Sequence, residues 1–226
     1  SSLSHMVQVI MAAIAAGGAH FASVGGGLNV TGLEIALRGC EERSEPVCLL
    51  GTSFSFVHWL DQLVERGERF QLPAGSRLMD TGGYKGRSRE VPEAELRVAY
   101  GDLLGLHPDF CVNEYGMTEL CSQAYDTTLR ERYERGAAGP RRKQGPPWMR
   151  TRVVDPDSLQ PSPPGEVGLL QHCDLANLGS VLLVQTEDLG RAVDDGFLVL
   201  GRAAGAPPRG CSIAMDDLLG AVRDRH

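Results

Sequence analysis

No stretch of this 226-residue chain is apolar for long enough to cross a bilayer. The apolar run over residues 6–16 is too short and is followed by glycines. It also lacks a basic leading region and a cleavage site, so a signal peptide is not expected. Cysteine is sparse: Cys40, Cys48, Cys111, Cys121, Cys173 and Cys211 form no Cys-x-x-Cys pair and no zinc spacing. Reduced thiols in a cytoplasmic compartment are the plain expectation. Positive charge is in deficit, with 22 Lys and Arg against 29 Asp and Glu and a formal charge of -7, which argues against general affinity for nucleic-acid phosphates. What remains is ordinary globular composition, 42% hydrophobic and 23% charged, in a chain long enough for one large domain or two small ones with a real core.

Periodicity organises the first two thirds. Met6, Val9, Ile10, Ala13 and Ile14 form a stripe at helical spacing over residues 3–16. A short strand is expected over 19–24, stopped by Gly25-Gly26-Gly27. Thr31 is placed to cap a helix over 32–38, with Glu34 three positions on as in a capping box. Strands follow at 46–50 and 77–79, and amphipathic helices at 54–66 and 93–104, the latter with Pro92 at its first turn. Residues 108–112 read as a buried strand. This alternation predicts an α/β fold, a mostly parallel sheet with crossover helices, over residues 1–145. From Trp148 onward the signals are β, at 150–154, 168–172, 180–185 and 196–200, separated by Pro, Gly and Asn/Asp turns. A smaller β-rich subdomain is therefore expected over 146–226, closed by a helix at 212–223.

The chemistry concentrates in Asn113-Glu114-Tyr115-Gly116-Met117-Thr118-Glu119, at the carboxyl end of a predicted strand. Ligands of open α/β sheets bind at that end. Each residue type suits a nucleotide: a tyrosine face stacks on adenine, a threonine hydroxyl bonds a phosphate oxygen, and a glutamate holds the Mg²⁺ that neutralises a triphosphate. A polar loop after a core strand, with Thr118 and Glu119 capping a helix, is the plainer alternative. Gly82 and Gly83 would let backbone approach the other face of a flat ring, or simply form a turn. Lys85 is a phosphate or carboxylate contact or an exposed lysine. Cys211 lies beside Arg209 and ahead of a predicted helix N-terminus, both of which favour a thiolate; Cys121 and simple burial are the competing readings. Spacing assigns no role to His172 or His107.

Tyr115-Gly116-Met117-Thr118-Glu119 resembles the Tyr-Gly-x-Thr-Glu motif of the adenylate-forming superfamily. Thr81-Gly82-Gly83-Tyr84-Lys85-Gly86 is similar to its adenine loop, and Gly165-Glu166-Val167-Gly168-Leu169-Leu170 to its Gly-Glu-x-Gly-Glu-Leu segment with leucine for the second acid. Thr186-Glu187-Asp188-Leu189-Gly190 resembles Thr-Gly-Asp-x-Gly, with Glu187 in place of glycine, and Gly201-Arg202 the Gly-Arg that follows. Glu114-Tyr115-Gly116-Met117-Thr118-Glu119-Leu120-Cys121-Ser122-Gln123, Pro146-Pro147-Trp148-Met149-Arg150, Asp174-Leu175-Ala176-Asn177 and Arg209-Gly210-Cys211-Ser212 look like the acyl-protein synthetase (LuxE-type) branch.

The resemblance implies the second half of an adenylate-forming large domain, using ATP and Mg²⁺ to activate a fatty or other carboxylic acid as acyl-AMP. Nucleotide contacts are implied for Gly82, Gly83, Tyr84, Glu114, Tyr115, Gly116, Met117, Thr118, Asp188 and Arg202. Asp188 would bond the ribose hydroxyls, Glu119 the metal and Thr118 the phosphate. Cys211 would accept the acyl group and pass it to an acyl-accepting protein or reductase partner. The superfamily's Thr-Ser-Gly-Thr-x-Gly phosphate loop is missing from the sequence, so an N-terminal half or a partner is expected to supply it. An aryl- or acyl-CoA ligase of the phenylacetate type, and a non-catalytic nucleotide- or partner-binding fragment, are the alternatives.

Overall fold

Helical spacing of the apolar residues produces α1 (Ser2–Ile14) in the computed structural model, which describes residues 2–22, 27–82 and 91–203. The strand expected at 19–24 is reduced, in its described part, to an isolated bridge between Ala22 and Leu28. α2 (Val30–Arg43) starts earlier than expected. Its cap is Asn29, whose Oδ1 accepts from Gly32 N at 2.9 Å; Thr31 already lies within the helix. Glu34 takes no part in a capping box and instead accepts from Trp59 Nε1 at 3.0 Å and pairs with Arg66.

β1 (Cys48–Thr52) and β2 (Arg77–Thr81) are parallel, with Leu50 opposite Met79, and α3 (Ser53–Arg66) crosses between them. α3 buries Phe56, Val57, Trp59, Leu60 and Leu63 on one face. α4 (Glu93–Leu104) buries Leu96, Tyr100 and Leu104 at intervals of four. These faces meet in a core joined by Leu33, Leu37, Phe70, Leu72, Leu78 and Leu106. Each such side chain stabilises the fold by about 1.5–3 kcal/mol on burial. The end of β2 is tied to both helices: Tyr100 donates to Asp80 Oδ2 at 2.9 Å, and Ser53 donates to the Gly82 carbonyl at 3.0 Å.

Residues 108–110 depart from the predicted strand. His107 caps a 3-10 turn (Pro108–Phe110), because proline at its first position withholds a ladder donor while its fixed φ suits the turn. β3 (Cys111–Tyr115) follows. The described residues divide here into two compact units, one ending at Cys111 and one starting at Val112.

The second unit holds the rest of β3 with β4 (Ala124–Asp126), α5 (Thr128–Arg135), β5 (Lys143–Gln144), β6 (Met149–Val154), β7 (Val167–Asp174), β8 (Leu183–Val193) and β9 (Gly196–Arg202). Its strand order is β3-β4-β5-β9-β8-β7-β6, and every pair in it is antiparallel. The expectation of a mostly parallel sheet is thus corrected: β1 with β2 is parallel, but the strands after Tyr115 are joined largely by turns too short for a crossover. The α/β class stands. β8 is longer than the strand expected at 180–185 and carries Glu187 and Asp188 within its ladder. Gly168 and Gly190 face each other across β7 and β8. A Cβ on Gly168 would overlap the Val154 carbonyl, and one on Gly190 the Leu198 carbonyl, which accounts for glycine at both motif positions. The helix expected at 212–223 lies outside the described residues.

Candidate functional site

Antiparallel pairing brings the ends of β3 and β9 to the middle of β8. Asp188 on β8 stands opposite Arg202 on β9, and Tyr115 closes β3 opposite Ala124. Tyr115 donates to Asp188 Oδ2 at 2.7 Å, across 73 residues of sequence. Its ring packs edge-on against Phe197, with centroids 5.8 Å apart, and at a tilt against His172 at 5.5 Å. His172, fully buried on β7, lies 3.2 Å from the Tyr115 hydroxyl through Nε2 and 2.9 Å from Thr151 Oγ1 through Nδ1.

These contacts fix proton directions. A carboxylate only accepts, so the Tyr115 hydroxyl donates to Asp188 and its oxygen accepts from His172 Nε2–H. Nδ1 of a neutral imidazole then accepts from Thr151. Burial holds His172 down at about 4, with Asp174 opposing only in part, so the ring is neutral near pH 7. Burial, reinforced by the neighbouring Asp188 carboxylate, pushes the Tyr115 phenol far above its ordinary value. Tyr115 is therefore a fixed donor and does no acid–base work near neutrality.

Asp188 keeps a second oxygen, Oδ1, 3.6 Å from Arg202 Nε. Arg202 turns its outer nitrogen to Glu187 Oε2 at 2.7 Å, and its Nε is buried with no hydrogen-bond partner. The acid that stands where the superfamily has glycine thus anchors Arg202. Oδ1, held beside the Arg202 guanidinium, remains an acceptor, which suits a ligand hydroxyl as donor. The Thr186 hydroxyl accepts from Asp188 N at 3.1 Å and donates to the Leu170 carbonyl at 2.7 Å, holding the base of this pair.

The remaining motif residues separate by face. Glu114 is buried and faces Tyr125, its register partner, on the side opposite Tyr115. Burial first, and Glu114 second, push the Tyr125 phenol up to about 12. Glu114 lies under Gly116 so closely that any Cβ there would overlap its carboxylate. Met117 is half-buried, and Thr118 and Glu119 are exposed in a turn. Among the described residues no cluster of three His, Cys, Asp or Glu is arranged to hold a metal. One exposed carboxylate instead suits Mg²⁺ shared with phosphates, which needs only one or two protein carboxylates. Gly82 is left-handed, with φ 77°. Gly83, Tyr84, Lys85, Arg209 and Cys211 lie outside the described residues. Cys121 is an exposed free thiol, and His107 is spent on its turn cap. No helix among the described residues is long and apolar enough to cross a membrane.

Tyr115, Asp188 and Arg202, singled out from the sequence, lie together in the fold; Thr151 and Phe197 beside them were not singled out, and His172 was read as structural. The alternation of β7 puts His172 on the inner face, but nothing local in sequence announces a tyrosine 57 residues away.

The acyl-protein synthetase LuxE family model matches residues 33–220. The long-chain-fatty-acid–luciferin-component ligase of Aliivibrio fischeri is 25% identical over 148 residues, covering 64% of this chain and 36% of that protein. The ligase of the same name from Vibrio harveyi is 21% identical over 194 residues, covering 81% and 48%. The chain thus spans less than half the length of these relatives. Among solved structures, the A-PCP of McyG complexed with phenylalanyl-adenylate superposes with a TM-score of 0.50 at 18% identity, over 77% of this chain and 33% of that one, which shows a shared fold. With a family match over most of its length, this chain belongs to the LuxE acyl-protein synthetase family.

Proposed function

We propose that this chain forms part of an enzyme that activates a long-chain fatty acid with ATP as acyl-AMP and then transfers the acyl group to a protein cysteine. The observation that carries the reading is the bond from Tyr115 to Asp188 Oδ2, which fixes the carboxylate beside Arg202 and keeps its second oxygen as an acceptor for a ribose hydroxyl. In the first step a carboxylate oxygen attacks the α-phosphorus and the bond to pyrophosphate breaks. In the second a thiolate attacks the acyl carbon and AMP leaves with the electrons of the C–O bond. Tyr115 would set the base and Asp188 with Arg202 the sugar. Thr118 would donate to phosphate oxygens as charge gathers there. Glu119 would hold Mg²⁺, which neutralises that charge. Gly82, Gly83 and Tyr84 would close on the adenine.

Cys211 is the proposed acyl acceptor, with Cys121 the competing thiol, and an acyl-accepting protein or reductase would be the partner. The fatty-acid class comes from the two ligases above. The missing phosphate loop would come from a further segment or subunit, and the enzyme would work in the cytoplasm.

The test is ATP–pyrophosphate exchange across a set of carboxylic acids, with the segment or subunit that carries the phosphate loop supplied, followed by intact-mass measurement. Exchange with fatty acids and an acyl mass on Cys211 are expected. Asp188→Asn should weaken nucleotide use about tenfold or more through loss of a charged hydrogen bond. ATP binding without exchange would leave a non-catalytic nucleotide-binding chain, and acyl recovered on CoA would mark a CoA ligase; either result sinks the proposal.

A further inference from the structure

The turn that carries Thr118 and Glu119 is closed by a bond from Leu120 N to the Met117 carbonyl at 3.2 Å. It is held from outside, by the turn that leaves β7. Asn177, 2% exposed, accepts from Cys121 N at 2.7 Å through Oδ1 and donates through Nδ2 to the Glu119 carbonyl at 2.8 Å and the Val181 carbonyl at 3.1 Å. Asp174, fully buried, accepts from Ser122 N and from Ser122 Oγ, each at 2.8 Å, and from Ala176 N at 3.0 Å. Trp148 Nε1 adds a bond to Ser122 Oγ at 2.9 Å. Asn is the side chain this geometry needs, because one acceptor and two donors are used at once on three different backbone groups. Asp would turn the two donors into an oxygen facing two carbonyls.

Burying these polar groups gains little apolar burial in return, since the same β7–β8 turn leaves Leu175 55% and Leu178 88% exposed. A directional clamp of this kind fixes position. We infer that Asn177, seconded by Asp174, is a positioning residue that sets the Glu119 backbone, and so aims Thr118 and Glu119 at the phosphates and metal. The inference rests on the adenylation reading above. It predicts a selective defect: groups that touch the triphosphate lose register while the ribose and acid contacts keep theirs.

Asn177→Asp tests it. With Mg²⁺–ATP, turnover in pyrophosphate exchange should fall about ten- to a hundredfold, the range that small misplacements of reacting groups produce. The AMP dissociation constant and the KM for the acid should stay within about twofold. Amide hydrogen exchange should accelerate at Cys121 and Ser122 and not in α3 or α4. Leu178→Ser, on the same turn but outside the clamp, should change none of these. Should Asn177→Asp unfold the chain, Ser122→Ala decides: it removes only the hydroxyl links to Asp174 and Trp148 and should move the same readouts the same way by a smaller factor. Equal losses in AMP affinity, acid KM and turnover would overturn the positioning role, as would unchanged turnover. Glu119→Gln separates the two levels of argument. Exchange abolished by Glu119→Gln but untouched by Asn177→Asp sinks this inference alone; exchange unaffected by Glu119→Gln removes the metal role of Glu119, and this inference with it; no exchange in the unsubstituted protein sinks the adenylation reading beneath both.

Discussion

The two units bury different kinds of side chain. The first packs Leu, Phe, Trp and Val from α2, α3 and α4 against β1 and β2, and among the described residues its buried polar side chains are few: Ser53, Ser76 and Asp80. The second packs Ala124, Val153, Leu170 and Phe197 in a smaller cluster. Around that cluster it buries Glu114, Asp126, Glu131, Arg142, Lys143, His172, Asp174 and Asn177. Apolar packing tolerates sliding and volume-conserving exchange. Buried hydrogen bonds do not, because a group moved off its partner pays its desolvation unrelieved. The unit that holds Tyr115 within hydrogen-bond distance of Asp188 is the one built on directional contacts, while the first unit is built on apolar packing.

The sharpest way to break this contrast is to remove a buried charge from the second unit. Asp126 accepts from Asn113 N at 2.9 Å and Arg141 Nη1 at 2.6 Å, and pairs with Lys143 Nζ at 3.2 Å. Lys143 also donates to Asn113 Oδ1 at 2.6 Å. Asp126→Ala leaves two cations and one strand N–H around an empty place. It should cost about 3–5 kcal/mol in urea unfolding, the range for an uncompensated buried charge. A cost below about 1 kcal/mol would mean that water replaces the carboxylate freely, and that the second unit is not held in the way described.

The contrast also explains what could be foreseen. α3, α4, β6, β7 and β9 follow from apolar period because their burial is carried by side chains three, four or two positions apart. β4 and β5 carry no such signal: at three and two residues they are too short to show a period, and Tyr125–Gln144 pairing depends on a partner elsewhere in the chain. The same limit applies to the cap of α2, where Asn29 and Thr31 both have suitable side chains and only the path from the Phe21 carbonyl to Asn29 N selects the first. In the site, Tyr115, Asp188 and Arg202 were legible through motif order, since each stands in its own segment. His172 was not, and Asp174 and Asn177 stood out as a segment but not by role, because their partners lie 52 to 58 residues away and their roles exist only once β7 has paired.

A second prediction turns on the neutral imidazole at the centre of the site. The folded His172 takes a proton at about 4, against an ordinary 6.5 in the unfolded chain. Between those values the unfolded state holds more proton, so stability rises with pH through this window and is lost as pH falls from about 6.5 towards about 4. The difference sets an upper bound of about 3 kcal/mol. His172→Gln removes this dependence. The gap between wild-type and variant unfolding free energies should therefore narrow as pH falls through the window; a gap that stays constant would show His172 to be charged or solvated in the folded protein, and the proton directions assigned to Tyr115 would fail with it.

The smallest effect sharpens the comparison from the other side. Asn29 caps α2 in the first unit through a single exposed bond to Gly32 N. Asn29→Ala should cost about 1 kcal/mol, the usual value of a lost N-cap, read as a shift of the urea midpoint with an unchanged slope. The bond faces water, so the freed N–H of Gly32 is resolvated, and the apolar face of α2 through Leu33 and Leu37 stays in its core. Thr31 cannot take over, because its backbone is already helical and its side chain lies past the groups that need a cap. A loss near that of Asp126→Ala would mean that a polar contact in the first unit organises its core as strongly as one in the second, and the division between packing and directional contacts would then not follow the boundary at Cys111.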